Sequence, residues 1–220
     1  MSGFLSSGIV NATAIPDSAV DYFEDGSLKS AYSLDTGDYN VNNNSPVYQE
    51  DFSLKWNDGS NTRYVIVADS TNSDFNSTIQ RGKVITWLQS VSGSNTDDFG
   101  SFYFGLESAS DPENNAITGY EAEWDMRSGF TRLYRFDSDG SRDLIASDDT
   151  RASENTEFKI EVDFDSASNG DIVYSATRVS DSTQVFSMTA NDANYDDTGF
   201  GFLNRSKSGH TYVRDKLDAQ

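Results

Sequence analysis

Apolar side chains recur at every second position along much of this chain. Tyr120, Ala122, Trp124 and Met126 alternate with Glu121, Glu123, Asp125 and Arg127. Phe158, Ile160, Val162 and Phe164 alternate in the same way with Lys159, Glu161, Asp163 and Asp165. Successive side chains of an extended strand point to opposite faces, so a period of two predicts strands with one packed face and one wet face. Phe102, Phe104 and Leu106 alternate with Tyr103 and Gly105, and Phe52, Leu54 and Trp56 with Ser53 and Lys55. Further strands are predicted over 64–68, 83–91, 130–136, 144–147, 171–178, 184–189, 199–204 and 211–217. Asp58-Gly59, Asp137-Ser138-Asp139-Gly140 and Ser168-Asn169-Gly170-Asp171 read as the turns between them. Many short strands separated by polar turns, with no sustained helical period, predict an all-β sandwich or jelly roll of two antiparallel sheets.

Residues 1–19 differ from the rest. Met1 to Pro16 carry no charged side chain and many small ones. A secretory leader would need a basic start and a longer apolar core, so this segment is read as an extended N-terminal arm for assembly or docking. Residues 20–220 show no internal repeat and no boundary, and form one domain.

Composition narrows the function. The 220 residues hold 36 acidic against 16 basic groups, a formal charge of −20, and the acids are 27 Asp and 9 Glu. No basic face is available for a phosphate backbone, so nucleic acid is excluded as a partner, and an anionic membrane surface would be repelled. There is no cysteine and one histidine, His210. Thiol catalysis, disulfides and clustered His or Cys metal sites are thereby excluded. High charge with a mean hydropathy of −0.61 points towards disorder, but 14 Phe, 11 Tyr and 3 Trp at strand spacing point to a folded core. Asp over Glu, Arg over Lys and few bulky aliphatics suggest a protein adapted to molar salt, where its self-repulsion is screened.

The order of landmarks resembles a known family. Val20-Asp-Tyr-Phe-Glu-Asp-Gly-Ser-Leu28, then Val47-Tyr-Gln-Glu-Asp-Phe-Ser-Leu-Lys-Trp56, Gly119-Tyr120 through Trp124, Asp139-Gly140, 158–165, Gly199-Phe-Gly-Phe202 and Tyr212-Val-Arg-Asp215 resemble the concanavalin A-like, laminin-G-like jelly rolls of haloarchaeal and viral proteins. The resemblance implies a sandwich with one curved sheet, used to bind glycans and sometimes holding calcium at its rim.

Chemistry is sparse. Some members of that superfamily hydrolyse β-glucans through three carboxylates on one strand, spaced Glu-x-Asp-x-x-Glu. Glu123-Trp-Asp125 starts such a pattern, but Ser128 and Gly129 stand where its last Glu would fall. Glu121, Glu123 and Asp125 share one strand face and are read as a solvated acidic face. A serine triad lacks its Gly-x-Ser-x-Gly elbow, and His210 reads as a turn or edge residue. Non-enzymatic binding is therefore expected. Asp137, Asp139 and Asp143 around one tight turn suit a hard cation, so calcium is the candidate cofactor. For a glycan the candidates are Tyr103, which faces opposite Phe102 and Phe104, and Tyr134 with Arg132, together with Asp125, because sugars pack on exposed aromatics beside planar polar groups. Trp87 and Trp124 are expected to be core anchors.

Fold resemblance, charge and arm together lead to the expectation of a virion structural protein of a halophilic virus. It would be a capsid decoration, turret or tail subunit, homo-oligomeric, docked on other virion proteins and displayed on the virion surface to attach to host glycans. The alternative is a secreted, extracellular haloarchaeal carbohydrate-binding module, with a glycoside hydrolase third.

Overall fold

The structure is a computed structural model. It describes residues 19–21, 30–31, 33–35, 47–50, 53–75, 77–82, 84–92, 99–111, 116–125, 130–150, 153, 156–165 and 170–219, with the backbone alone for several strand segments, among them 53–65, 86–92, 125 and 204–216. The expected arm lies outside these residues except for Ala19.

Among the described residues the regular elements are all strands: β1 (Ala19–Asp21), β2 (Ser33–Asp35), β3 (Val47–Glu50), β4 (Ser53–Asp69), β5 (Val84–Ser92), β6 (Phe99–Asp111), β7 (Ala116–Asp125), β8 (Thr131–Phe136), β9 (Arg142–Asp148), β10 (Phe158–Asp163), β11 (Asp171–Arg178), β12 (Gln184–Asn191) and β13 (Asp197–Ala219). Every pairing is antiparallel. One layer runs β9-β8-β7-β6 to the first part of β13, and the other runs β12-β11-β10-β5 to its last part. The all-β sandwich predicted from alternation is the fold observed.

Alternation explains how the layers close on one another. Trp124 of β7 meets Phe158 of β10 and Phe186 of β12 edge-on, with ring centroids 4.5 and 5.5 Å apart. Phe104 of β6 packs against Phe164 at 5.2 Å. Trp124 is the core anchor expected of it, whereas Trp87 lies on β5 with its side chain outside the described residues. Edge-to-face aromatic pairs add to the area they remove from water, so bulky rings fill the space that the scarce aliphatics leave. The β8–β9 turn also follows prediction. Gly140 N donates to Asp137 O at 2.9 Å, and Gly140 has a φ of +84°, which glycine adopts at no steric cost.

Two predicted breaks are absent. The Asp58-Gly59 turn is not a turn: β4 runs unbroken through it for 17 residues. Likewise 199–204 and 211–217 belong to one strand of 23 residues, β13. The two pair together, with register shifts between Arg205 and Lys207 and between Lys207 and His210. These bulges let a single antiparallel ribbon bend from one layer into the other without ending. An Asp-Gly pair that looks like a turn in the sequence here marks an irregularity within the ribbon.

Candidate functional site

The outer face of β6 to β9 carries an unexpected set of charges. In β7, Trp124, Ala122 and Tyr120 point into the core, so Glu121 and Glu123 point the other way. They do not reach water: their side chains are 3% and 5% exposed. Ser101 Oγ donates to Glu121 Oε1 at 2.6 Å, and Arg142 Nη2 donates to Glu121 Oε2 at 2.8 Å and to Glu123 Oε2 at 3.5 Å. Arg132 Nη1 donates to Glu123 Oε1 at 3.1 Å. Each carboxylate oxygen thus has a donor, as buried charge requires.

Sheet register brings these partners together. Glu123 lies opposite Arg132 on β8 and Ser101 on β6, and Glu121 opposite Tyr134 and Tyr103. Arg142 reaches across from β9, its Cζ 3.6 Å from the centre of the Tyr134 ring and 5.3 Å from that of Phe136. Arg132 lies over Phe130 at 4.9 Å. Cation–π contact and buried counter-charges hold both guanidiniums against the sheet. Burial alone would lower the pKa of Arg142, but Glu121, Tyr134 and Glu123 outweigh it and the net shift is upward. Tyr134 is also shifted up, by burial first and then by the Glu123 charge. Around this lattice Phe130 and Leu144 stand exposed.

Three expectations change here. The solvated acidic face is corrected: Glu121 and Glu123 are buried ion-pair partners, because Arg132 on the adjacent strand and Arg142 two strands away neutralise them. Tyr103, expected to be exposed, is buried. It packs with Leu106, Ile117, Phe136 and Leu203 in a second apolar cluster, so the face opposite the main core is itself packed there. Arg132 and Tyr134 do come together on one half-exposed surface, but the ring's cationic partner is Arg142, which sequence reading missed. Asp125 ends β7, with its side chain outside the described residues. A usable signal existed, since Arg132, Arg135 and Arg142 place three of the chain's 10 arginines in one hairpin of an acidic protein.

The acidic turn proves to be an arginine socket. Arg135 donates from Nε to Asp137 at 3.1 Å, from Nη2 to Asp143 at 2.7 Å and from Nη1 to Asp192 at 2.7 Å. The hydrogen bond to Asp192 leads in raising the Arg135 pKa. Tyr195 and Tyr120 complete the socket, donating to Asp137 Oδ1 and Asp192 Oδ1, each at 2.6 Å. Arg81 closes it from the far side, bonding to the carbonyl oxygens of Gly170, Tyr195 and Asp192. Asp139 is turned back on the backbone by Ser141 N at 2.9 Å. The fit to calcium therefore fails at this turn. Two of the three expected ligands already serve a guanidinium, and among the described residues no group of three or more His, Cys, Asp or Glu is placed to hold an ion.

A cavity of about 400 Å³ lies beside the second apolar cluster, with Val67, Leu106 and Ala109 in its wall and Asp69, Glu107, Asp197 and Ser108 among its polar lining. Asp69 accepts from Thr71 N and Thr198 Oγ1 at 2.9 and 2.8 Å. Its pKa is lowered, first by the Thr71 N–H and against the cost of burial.

Known structures fit this architecture closely. The VIP36 exoplasmic/lumenal domain in its Ca2+/Man3GlcNAc-bound form has a TM-score of 0.66 at 8% identity, covering 93% of this chain and 88% of that one. The Emp46p carbohydrate recognition domain in its potassium-bound form has a TM-score of 0.62 at 12% identity, covering 92% and 96%. A legume lectin-like domain from Entamoeba histolytica also has 0.62, at 8% identity, covering 88% and 95%. The protein is a lectin-like jelly roll. No family model matches the sequence, and no curated protein matches it. At these identities the likeness is one of fold.

Proposed function

We propose that this lectin-like protein binds glycans, and that its binding surface is the outer face of β8 and β9, formed by Phe130, Arg132, Tyr134, Arg142 and Leu144. The observation that carries the reading is the platform itself: two arginine side chains, 24% and 32% exposed, with their guanidiniums over aromatic rings and anchored by buried glutamates. Sugars bind where a flat apolar surface lies beside fixed hydrogen-bond donors, and donors already held in place lose little entropy on binding. The carbohydrate recognition domains that share the fold supply the ligand class.

Binding without hydrolysis is part of the proposal. General acid and nucleophile need carboxyls free to take up a proton or attack a sugar, and both glutamates here are committed to arginines and Ser101. The comparisons favour the module reading over a virion subunit, since the similar domains are recognition domains. An extracellular location belongs to this proposal, and a place on a particle in native material would count against it.

A glycan array followed by titration calorimetry tests it. Binding to at least one oligosaccharide is expected, weakened about tenfold or more, or ~1.4 kcal/mol, by the surface substitution Phe130→Ala. Retained binding in Phe130→Ala combined with loss in Ser108→Trp would move the seat to the 400 Å³ cavity. No binding across the array, or release of reducing ends from a bound glycan, would overturn the reading.

A further inference from the structure

Resting on glycan binding at this face, we infer that the ligand is an anionic one, a sugar carrying a ring carboxylate such as a uronic acid. The lattice is layered by charge, with both glutamates inside and both guanidiniums outside. All four glutamate oxygens accept hydrogen bonds within the protein. What faces outward is therefore rich in donors. Arg142 uses Nη2 for both glutamates, which leaves Nε and Nη1 without a hydrogen bond among the described residues. Arg132 uses Nη1, which leaves its Nε–Nη2 edge.

That edge sets the chemistry. Nε and Nη2 send out two parallel N–H groups, the spacing that meets the two oxygens of a planar carboxylate. Hydroxyls of a neutral sugar must donate as well as accept, and among the described residues the outward side chains around the two guanidiniums offer few acceptors: Tyr134, and Ser147, which lies opposite Arg132 on β9. A ligand without fixed charge would leave guanidinium donors unpaired as it displaced their water, and unpaired donors cost affinity. A carboxylate pairs them. The protein's charge of −20 opposes such a ligand at long range, but salt screens that repulsion beyond about 10 Å while the desolvated contact is kept. The acidic surface thus sets the on-rate and its salt dependence, and the fork sets the choice of ligand.

Calorimetry of the intact protein against three probes tests the assignment: trigalacturonic acid, its methyl ester, and a neutral mannotriose. The acid should bind, and the ester and mannotriose at least tenfold more weakly. Arg132→Lys, which keeps the charge and removes the fork, should cost the acid about tenfold more affinity than it costs the neutral sugar. Its melting curve checks that it folds, and Arg132→Gln is the second variant if it does not. Equal binding of acid and ester, acid binding unchanged in both variants, or preference for a sulfated galactan trisaccharide would overturn the carboxylate assignment and leave glycan binding standing. Failure of every saccharide, neutral ones included, would overturn both.

Discussion

Strands β7 and β10 are written in nearly the same alphabet and have opposite fates. Each alternates large apolar residues with acids, and each sends its apolar set into the same core, where Trp124 and Phe158 touch. On β10 the other face is wet: Glu161 is 30% exposed and pairs with Lys159 at 2.7 Å, also on the surface. On β7 the other face is covered, and Glu121 at 3% exposure is held by Arg142. The difference lies in the neighbours. Beside β10, on β11, Ser175 stands opposite Glu161; near β7, β8 and β9 supply arginines and aromatic rings. Alternation fixes which way a side chain points, and cross-strand partners decide whether water reaches it.

The largest test removes one side of the buried pair. Arg142→Ala strands Glu121 and Glu123 without their shared counter-ion and should cost about 3–5 kcal/mol in urea unfolding. Glu121→Gln combined with Arg142→Met should recover most of that loss. A cost in the single variant no greater than a surface pair's would show that Glu121 reaches water after all.

Salt comes next. Moving from about 3 M to 10 mM sodium chloride lengthens the screening distance from a few ångströms to about 30 Å. With a charge of −20, the melting temperature should fall steeply. An unchanged value would sink the halophilic expectation. The Arg142–Glu121 pair, whose carboxylate is buried, should vary less with salt than the whole, which a double-mutant cycle at both ionic strengths reads directly.

Acid and alkali probe the socket, which resembles the β7 lattice more than the β10 surface. Burial alone would raise the Asp192 pKa, but hydrogen bonds from Tyr120, Arg135 and Asn194 hold it below the ordinary carboxylate value. Its contribution is therefore full above that ordinary value, near 4, and is lost as pH falls through the lowered one. Tyr120 is raised to about 12, by burial and then by Asp192. Its contribution is full below the unfolded tyrosine value of about 10 and is lost as pH rises from there towards 12. Denaturant midpoints across pH should show both flanks, and Asp192→Asn should flatten the acid one. The smallest effect is expected from Lys159→Ala, at most ~1 kcal/mol, vanishing in molar salt.

The core side of the fold was legible because each of its signals is local. β10 can be marked off from six residues and β11 from eight, and the Asp137–Gly140 turn from four. The second face was not legible, because its signals are pairings. Nothing within β7 distinguishes Glu121 from Glu161. That information sits in Arg142, 21 residues away, and in the register that places it over Tyr134. Tyr103 failed for the same reason: opposite parity from Phe102 implies solvent only where a sheet has a single packed face. The acidic turn misled in the other direction. Asp137 and Asp143 do converge as carboxylates around a cation would, but the cation is the side chain of Arg135.

β13 carries a kinetic consequence. The last strand in the sequence is also the one to which both layers attach, pairing with β6 and β4 at Gly199–Arg205 and with β5 and β4 from Thr211 onward. Its partners on β4, β5 and β6 lie roughly 90 to 160 residues back along the chain, so loops of that length must close before either layer has a centre. Such a topology folds slowly, and earlier hairpins such as β8–β9 wait as unanchored pieces with bare edges. For this chain, the interval before β13 is laid down is the period of greatest exposure to aggregation.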